Sequence, residues 1–362
     1  MTHAPQRLQA FRQELDRLSL EAAVVSDPRH VYYLTGYRPL PLRPAYLVVE
    51  TGGEARLVAP QGAQAPGLAL APYLGYSIHH LFPALPSSLE ALSRARPAGS
   101  GPVGLELDAV GRAAAEAALG GRPAADIGPV LRQLRLRKWP DELALICRCA
   151  QLTDAGYQAA ARALAEGGDE FEIYLATKTA VEAAAGERVE FDGDFVSGER
   201  SLLRGGPPTR RRPQPGDTFI LDLFPTYRGY WADTCRTLVL GPPTPGQQAL
   251  AERALEALAA GRDAIRPGLP AQELYQVVRQ ALGRQGDASS FDHHAGHAVG
   301  LWPHESPMIV PADATTLAEG MVIALEPGLY LPETGGVRFE DTYLVTAQGA
   351  QSLSRFPLRL AP

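Results

Sequence analysis

The period of the hydrophobic positions changes repeatedly along this chain, and each change marks an element. Leu8, Phe11, Leu15 and Leu18 fall on one face of a helix predicted over residues 6–18. Ala22 to Val25 follows as a short buried strand, ended by Ser26-Asp27-Pro28. Val31 to Tyr37 leads into a loop from Arg38 to Pro44, where three prolines preset the backbone. Residues 45–50 and 55–60, separated by Thr51-Gly-Gly53, read as a hairpin. Helical patterns at 85–97 and 108–119 bracket a strand at 103–107. This alternation predicts an α/β layered domain ending near residue 130.

Residues 135–140 read as a linker into a second domain. Pro140 suits a helix start, and Asp141 and Glu142 in its first turn suit the helix dipole. Helical patterns follow at 141–166, 169–185, 245–262 and 270–284, with glycine- and proline-punctuated β-rich runs at 188–240 and 290–350. Helices, strands, helices, strands suggest two similar halves, although periodicity alone specifies only α+β.

Composition adds bounds. A chain of 362 residues exceeds what one core usually organises, so two domains are expected. Basic residues number 34 against 40 acidic, and the net charge of -6 argues against nucleic acid as a main partner. The N-terminus has no apolar signal core and no window approaches a membrane span, which points to a cytoplasmic protein with no membrane partner. Three cysteines cannot make a full disulfide framework, as befits a reducing compartment.

Chemistry concentrates late in the chain. Four of the eight histidines (His293, His294, His297, His304) lie between His293 and Pro307. His293 and His297 have the spacing of a helical zinc motif, but His294 stands where that motif needs a glutamate and Gly296 opposes a helix. Asp222, Asp233, Glu326 and Glu340 each sit in apolar, β-prone sequence, where an unpaired charge is costly. Four such carboxylates and one histidine could form a two-metal cage. Buried structural ion pairs are the competing reading, and these would need basic partners that the flanking sequence does not show.

In order, Asp222, Asp233, Gly296-His297, Glu326-Pro-Gly328 and Arg338-Phe-Glu340-Asp341 resemble the ligand motifs of the pita-bread metallopeptidases. That family includes methionine aminopeptidase, aminopeptidase P and prolidase. The resemblance covers about the last 220 residues. Ser26-Asp27-Pro28 and Tyr33-Leu-Thr-Gly36 resemble the creatinase-type N-terminal domain. The implied fold is α+β, with a pita-bread catalytic domain over 133–362 preceded by a smaller α/β domain over 1–132. The implied cofactors are two divalent ions (Mn first, otherwise Co, Zn or Fe). Asp222 and His297 would each serve one ion, Asp233 and Glu340 would bridge, and Glu326 would complete the set. His293 and His304, with Glu326, are the implied catalytic residues, the histidines steadying the scissile carbonyl. Arg338 would orient the bridging carboxylates, and His294 receives no role beyond a loop or supporting one.

Three positions depart from the pattern. Cys235 stands where relatives usually have threonine, and the simpler reading is that it fills space. Gly205 stands where proline-specific relatives carry a histidine, seventeen residues before Asp222, and Arg200 replaces a usual asparagine. The resemblance therefore implies an aminopeptidase acting on short peptides through a metal-bridged hydroxide, without strict need for proline at the second position. An Xaa-Pro aminopeptidase or prolidase is the alternative, and an inactive peptide-binding module is another. Creatinase shares the fold but lacks the full ligand set. The vacated space at Gly205 would admit a non-proline residue, with Arg204 pointing elsewhere if the segment is extended. A homodimer is also implied, in which Tyr37, Arg38 and Arg43 would approach substrate.

Overall fold

The apolar strands and amphipathic helices of the first third of the chain assemble around one mixed sheet. The structure, a computed structural model, describes residues 1–75 and 84–360. It forms two units, Met1–Arg135 and Leu136–Pro362. The first contains α1 (Ala4–Arg17), β1 (Ala22–Val25), α2 (Pro28–Thr35), β2 (Tyr46–Glu50), β3 (Ala55–Pro60) and β4 (Ala69–Tyr73). It continues with α3 (Ala84–Ala95), β5 (Val103–Leu105), α4 (Arg112–Leu119), β6 (Ala124–Asp126) and α5 (Gly128–Arg135). The strands lie in the order β4-β3-β2-β1-β5-β6. The expected hairpin β2–β3 is antiparallel, whereas β5 joins β1 in parallel.

Local signals explain where the elements differ from expectation. Helix α1 buries Leu8, Phe11 and Leu15, but Leu18 lies at its C-cap and is 49% exposed. The stretch after β1 is a helix, because the Asp27 side chain accepts from the Arg29 amide, Pro28 opens the first turn and Gly36 closes the last at φ +73°. Helix α4 starts at Arg112 rather than residue 108, since Ala109 and Val110 are held in a turn by the Glu106 carbonyl. The segment read as a linker is partly helix, with Arg135 ending α5. Lys138 is buried in an ion pair with Glu305 at 2.8 Å.

The second unit repeats a helix-pair-then-sheet plan. Helices α6 (Pro140–Ala165) and α7 (Glu170–Ala185) share a core with β7 (Phe191–Ser197), β8 (Thr218–Tyr227), β9 (Tyr230–Trp231) and β10 (Thr234–Val239). Helices α8 (Pro245–Ala264) and α9 (Ala271–Gly283) do the same with β11 (Gly296–Ala298), β12 (Glu305–Met308), β13 (Val322–Leu325), β14 (Gly328–Leu331), β15 (Gly335–Arg338), β16 (Asp341–Thr346) and β17 (Gly349–Ser352). Each half brings a helix close at one glycine. A Cβ on Gly156 of α6 would meet Leu223, Thr177 and Val181 at 3.1 Å, and one on Gly261 of α8 would meet Leu325 and Val278 at 2.9 Å.

The sheets run β10-β8-β7 and β12-β11-β13-β16-β17, with β14–β15 a separate hairpin. One two-residue bridge joins the halves: the amides of Cys235 and Glu340 exchange hydrogen bonds with each other's carbonyls, at 3.3 and 2.9 Å. Among the described residues, no helix is long and apolar enough to cross a membrane.

Candidate metal centre

Residues on or beside five different strands converge on this junction. Asp222 lies within β8 and pairs in register with Cys235 of β10 and Asp194 of β7. Asp233 immediately precedes β10, His297 lies in β11, Glu326 follows β13, and Glu340 separates β15 from β16. All five expected ligands line one cavity of about 280 Å³, together with His293, His294, His304, Arg338, Asp194 and Gly205. Asp233, His297 and Glu340 each offer a ligand atom within 4.8 Å of the others. The Nε2 of His297 lies 3.7 Å from Asp233 Oδ2 and 3.5 Å from Glu326 Oε1. Its Nδ1 donates to the Ala298 carbonyl at 3.1 Å, which leaves Nε2 as the acceptor facing the acids.

The acids outnumber the donors that face them. Asp222 Oδ1, Asp233 Oδ1 and Glu340 Oε1 are buried oxygens with no hydrogen-bond partner. Burial, reinforced by the neighbouring acids, pushes Asp233 and Glu340 well above the usual carboxylate range. Burial likewise raises Asp222, to about 7, against the opposing charge of Arg338. Glu326 goes the other way: burial would raise it, but His294, His297 and Arg338 together hold it at about 2. His297 falls to about 4 through burial, so it is neutral and able to ligate. Hard oxygens with one imidazole are the donor set that suits Mn, Co, Zn or Fe. The residues therefore fit a divalent metal centre.

The surrounding side chains divide by contact. The Nε2 of His293 lies 3.0 Å from the Tyr330 hydroxyl and its Nδ1 2.7 Å from the His294 carbonyl, so both ring nitrogens are engaged. His304 is exposed and packs its ring 4.0 Å from that of His297, and among the described residues it makes no hydrogen bond. Burial lowers both histidines. His294 Nδ1 lies 3.0 Å from Glu326 Oε1 without good hydrogen-bond geometry, and that carboxylate outweighs burial to raise the imidazole. Arg338 bonds to Asp222 and to Asp194, the latter at 3.0 Å. Cys235 is buried against Val196, Ile220 and Tyr330 and fills space.

The loop around Gly205 differs from the sequence expectation. Gly198–Leu203 is a 3-10 turn and Arg204 has φ +71°, so the segment is not extended and Arg204 lines the cavity. Its guanidinium forks onto Asp292 at 2.7 and 2.6 Å. Arg200 ties the loop to Glu170 and to the Pro207 carbonyl. The space beside Gly205 is not vacant. A Cβ there would fall 2.3 Å from Asp194 Oδ2, inside that carboxylate. Asp194 escaped the sequence reading because Phe191-Asp-Gly-Asp194 looks like an alternating strand with a solvated face. Its one signal was register, directly opposite Asp222. Tyr37, Arg38 and Arg43 belong to the first unit, where Arg38 and Arg43 line a separate cleft of about 850 Å³.

Residues 7–137 match the creatinase/prolidase N-terminal domain, and residues 144–347 match metallopeptidase family M24. An Xaa-Pro dipeptidase of Pyrococcus furiosus is 37% identical over 229 residues, 63% of this chain. That match spans 66% of the relative's length, just under two thirds. An uncharacterized peptidase of Staphylococcus aureus is 28% identical over 95% of this chain and 97% of its own. The solved prolidase from Pyrococcus furiosus superposes with a TM-score of 0.82 at 30% identity, covering 96% of this chain and 99% of that one. The second unit has the pita-bread fold behind a creatinase-type N-terminal domain. With more than half its length inside the family model, and its buried acids and His297 meeting between two repeated halves, the chain belongs to metallopeptidase family M24.

Proposed function

We propose that the chain is a peptidase that removes the N-terminal residue of short peptides with a pair of divalent ions. The observation that carries this reading is the set of buried carboxylate oxygens without a donor around His297 Nε2. Asp233 and Glu340 would be shared between the ions, and Asp222, His297 and Glu326 would complete the shell. When bound, such ions supply Lewis acidity and a nucleophile at neutral pH. The side chains do the rest. Arg338 fixes the Asp222 carboxylate. His304, its pKa lowered by burial and with no hydrogen bond among the described residues, is the donor best able to meet a developing oxyanion. His293, tied to Tyr330, shapes the adjoining wall.

Relatives named Xaa-Pro dipeptidase and prolidase make Xaa-Pro bonds the alternative substrate class. Gly205, however, offers no donor, and an acid occupies the space beside it, which supports a peptidase without a strict proline requirement. We also infer a homodimer through the loop of the first unit that carries Leu40 and Leu42, the latter 88% exposed. Light scattering tests that part, and a monomer at working concentration removes it.

The main test combines metal content with a release assay on Mn-loaded protein, using matched di- and tripeptides with Ala or Pro second. Near two ions per chain and release of the first residue are expected. Far less metal with no residue released from any peptide would make the chain a binding module instead.

A further inference from the structure

Asp194 is the one acid of the cavity that the ligand scheme does not use. It lies on β7 opposite Asp222, and the two share Arg338. One oxygen, Oδ1, accepts from the Gly206 amide at 2.7 Å, and Oδ2 accepts from Arg338 Nη2 at 3.0 Å. Two donors leave a carboxylate with acceptor capacity to spare, since its oxygens offer about four lone-pair directions. The side chain is also the more open of the pair, 25% exposed against 8% for Asp222. It is therefore reachable from the cavity while its orientation is fixed from behind.

Position 205 explains how the carboxylate came to have this place. The three atoms nearest a Cβ at Gly205 are Asp194 Oδ2, Cγ and Oδ1, at 2.3, 2.7 and 2.8 Å. The φ of Gly205 is not positive, so the glycine is required by the carboxylate and not by the backbone. Residues 194 and 205 are thus coupled: a Cβ at 205 would have to displace the Asp194 carboxylate from this position. What fills this part of the wall is a carboxyl side chain that accepts hydrogen bonds from the Gly206 amide and Arg338.

We propose that Asp194 is a specificity-determining residue that accepts a hydrogen bond from the backbone N–H of the substrate's second residue. The inference rests on the peptidase reading above. A secondary amide presents that hydrogen, whereas proline and N-methylated residues do not. Against those substrates the acceptor loses its partner, and a site built for a polar partner discriminates against the analogue that lacks it. The subsite then selects for an ordinary second residue by chemistry rather than by size.

The experiment uses full-length, Mn-loaded protein and three tripeptides that differ only in Ala, N-methyl-Ala or Pro at the second position. Wild type should favour Ala over N-methyl-Ala by at least tenfold in kcat/KM, about 1.4 kcal/mol. In Asp194→Ala that ratio should fall to within about threefold of unity, with metal content unchanged. Asp194→Asn keeps the volume and one acceptor, so it should give an intermediate ratio if the Ala variant folds poorly. A ratio that stays at its wild-type value while every rate falls would make Asp194 a support for Arg338 and Asp222, or a partner of the substrate's α-amino group. Either result overturns the proposal. A wild-type ratio near one overturns it too, but leaves the peptidase intact. Release from none of the peptides would instead sink the peptidase reading itself.

Discussion

Each unit buries a histidine against acids, and only one of the two clusters is short of donors. In the first unit, His30 pairs with Glu106 through one ring nitrogen and meets Arg135 through the other. Glu106 also accepts from the backbone amides of Ser26 and Asp27. That cluster is closed by the chain's own donors and ties β5, α2 and α5 together. In the second unit, His297 faces Asp233, Glu326 and Glu340, and oxygens of Asp222, Asp233 and Glu340 remain unmatched. Even Asp341, next to Glu340, is paired, with Arg236 at 2.7 Å. A buried histidine beside an acid is therefore no sign of metal. Oxygens that nothing in the protein satisfies are the sign.

The contrast is broken most directly by removing one acid from each cluster. Asp233→Ala or Glu340→Ala should abolish peptide release and metal retention in a protein that still folds, because each removes a ligand proposed to be shared. Glu106→Ala should do the reverse. Breaking a closed buried pair costs about 3–5 kcal/mol of stability, whereas metal per folded chain and rate per folded chain stay at wild-type levels. Calorimetry, metal analysis and turnover on the same preparations decide it, and metal loss in the Glu106 variant would erase the distinction.

A finer division lies inside the second cluster, between ligands and donors. His304→Ala should keep its metal and lose roughly 10²–10³-fold in rate, the usual loss for one oxyanion donor. Loss of metal in that variant would move His304 into the ligand set.

The smallest effect is in pH dependence. Asp222, Asp233 and Glu340 have folded-state pKa values raised by burial, Asp222 to about 7. Their protonated forms favour the fold, so their contribution is present below the unfolded value near 4 and is lost as pH climbs through the folded one. Glu326, held at about 2, contributes above the unfolded value and loses it only at lower pH, outside this window. Chelated protein should thus weaken between about pH 4 and 7, and added Mn should offset that loss. The Mn-induced rise in Tm should be larger at pH 7.5 than at pH 5.5 by the equivalent of at least 1 kcal/mol, about 2–4 °C for a domain of this size. An equal rise at both pH values would mean that the acids are satisfied without metal.

How much of this was legible in the sequence follows from the same physics. Asp222, Asp233, Glu326 and Glu340 stood out because a charge inside an apolar strand advertises its own cost. The repeated halves were visible because two long helical runs precede each β-rich run. Asp194 does not stand out because an acid alternating with apolar residues has the pattern of a solvated strand face, and only the register with Asp222 reveals where it points. Helix α2 was missed although Asp27-Pro28 carries a cap and a first-turn proline. Arg204 was misjudged because an assumed strand is in fact a tight turn with a positive φ after it.

The bridge between Cys235 and Glu340 has a consequence for how the molecule comes into being. The two residues are separated by roughly a hundred positions, and contacts so distant along the chain form late in folding. Asp222 and Asp233 belong to one half of the second unit, and His297, Glu326 and Glu340 to the other. Neither half alone holds a complete ligand set, so a nascent chain has no full binding site until both halves have been made and joined. On the proposed reading, a metal ion captured there would act as a staple across the junction and would withhold its binding energy from every partly assembled form.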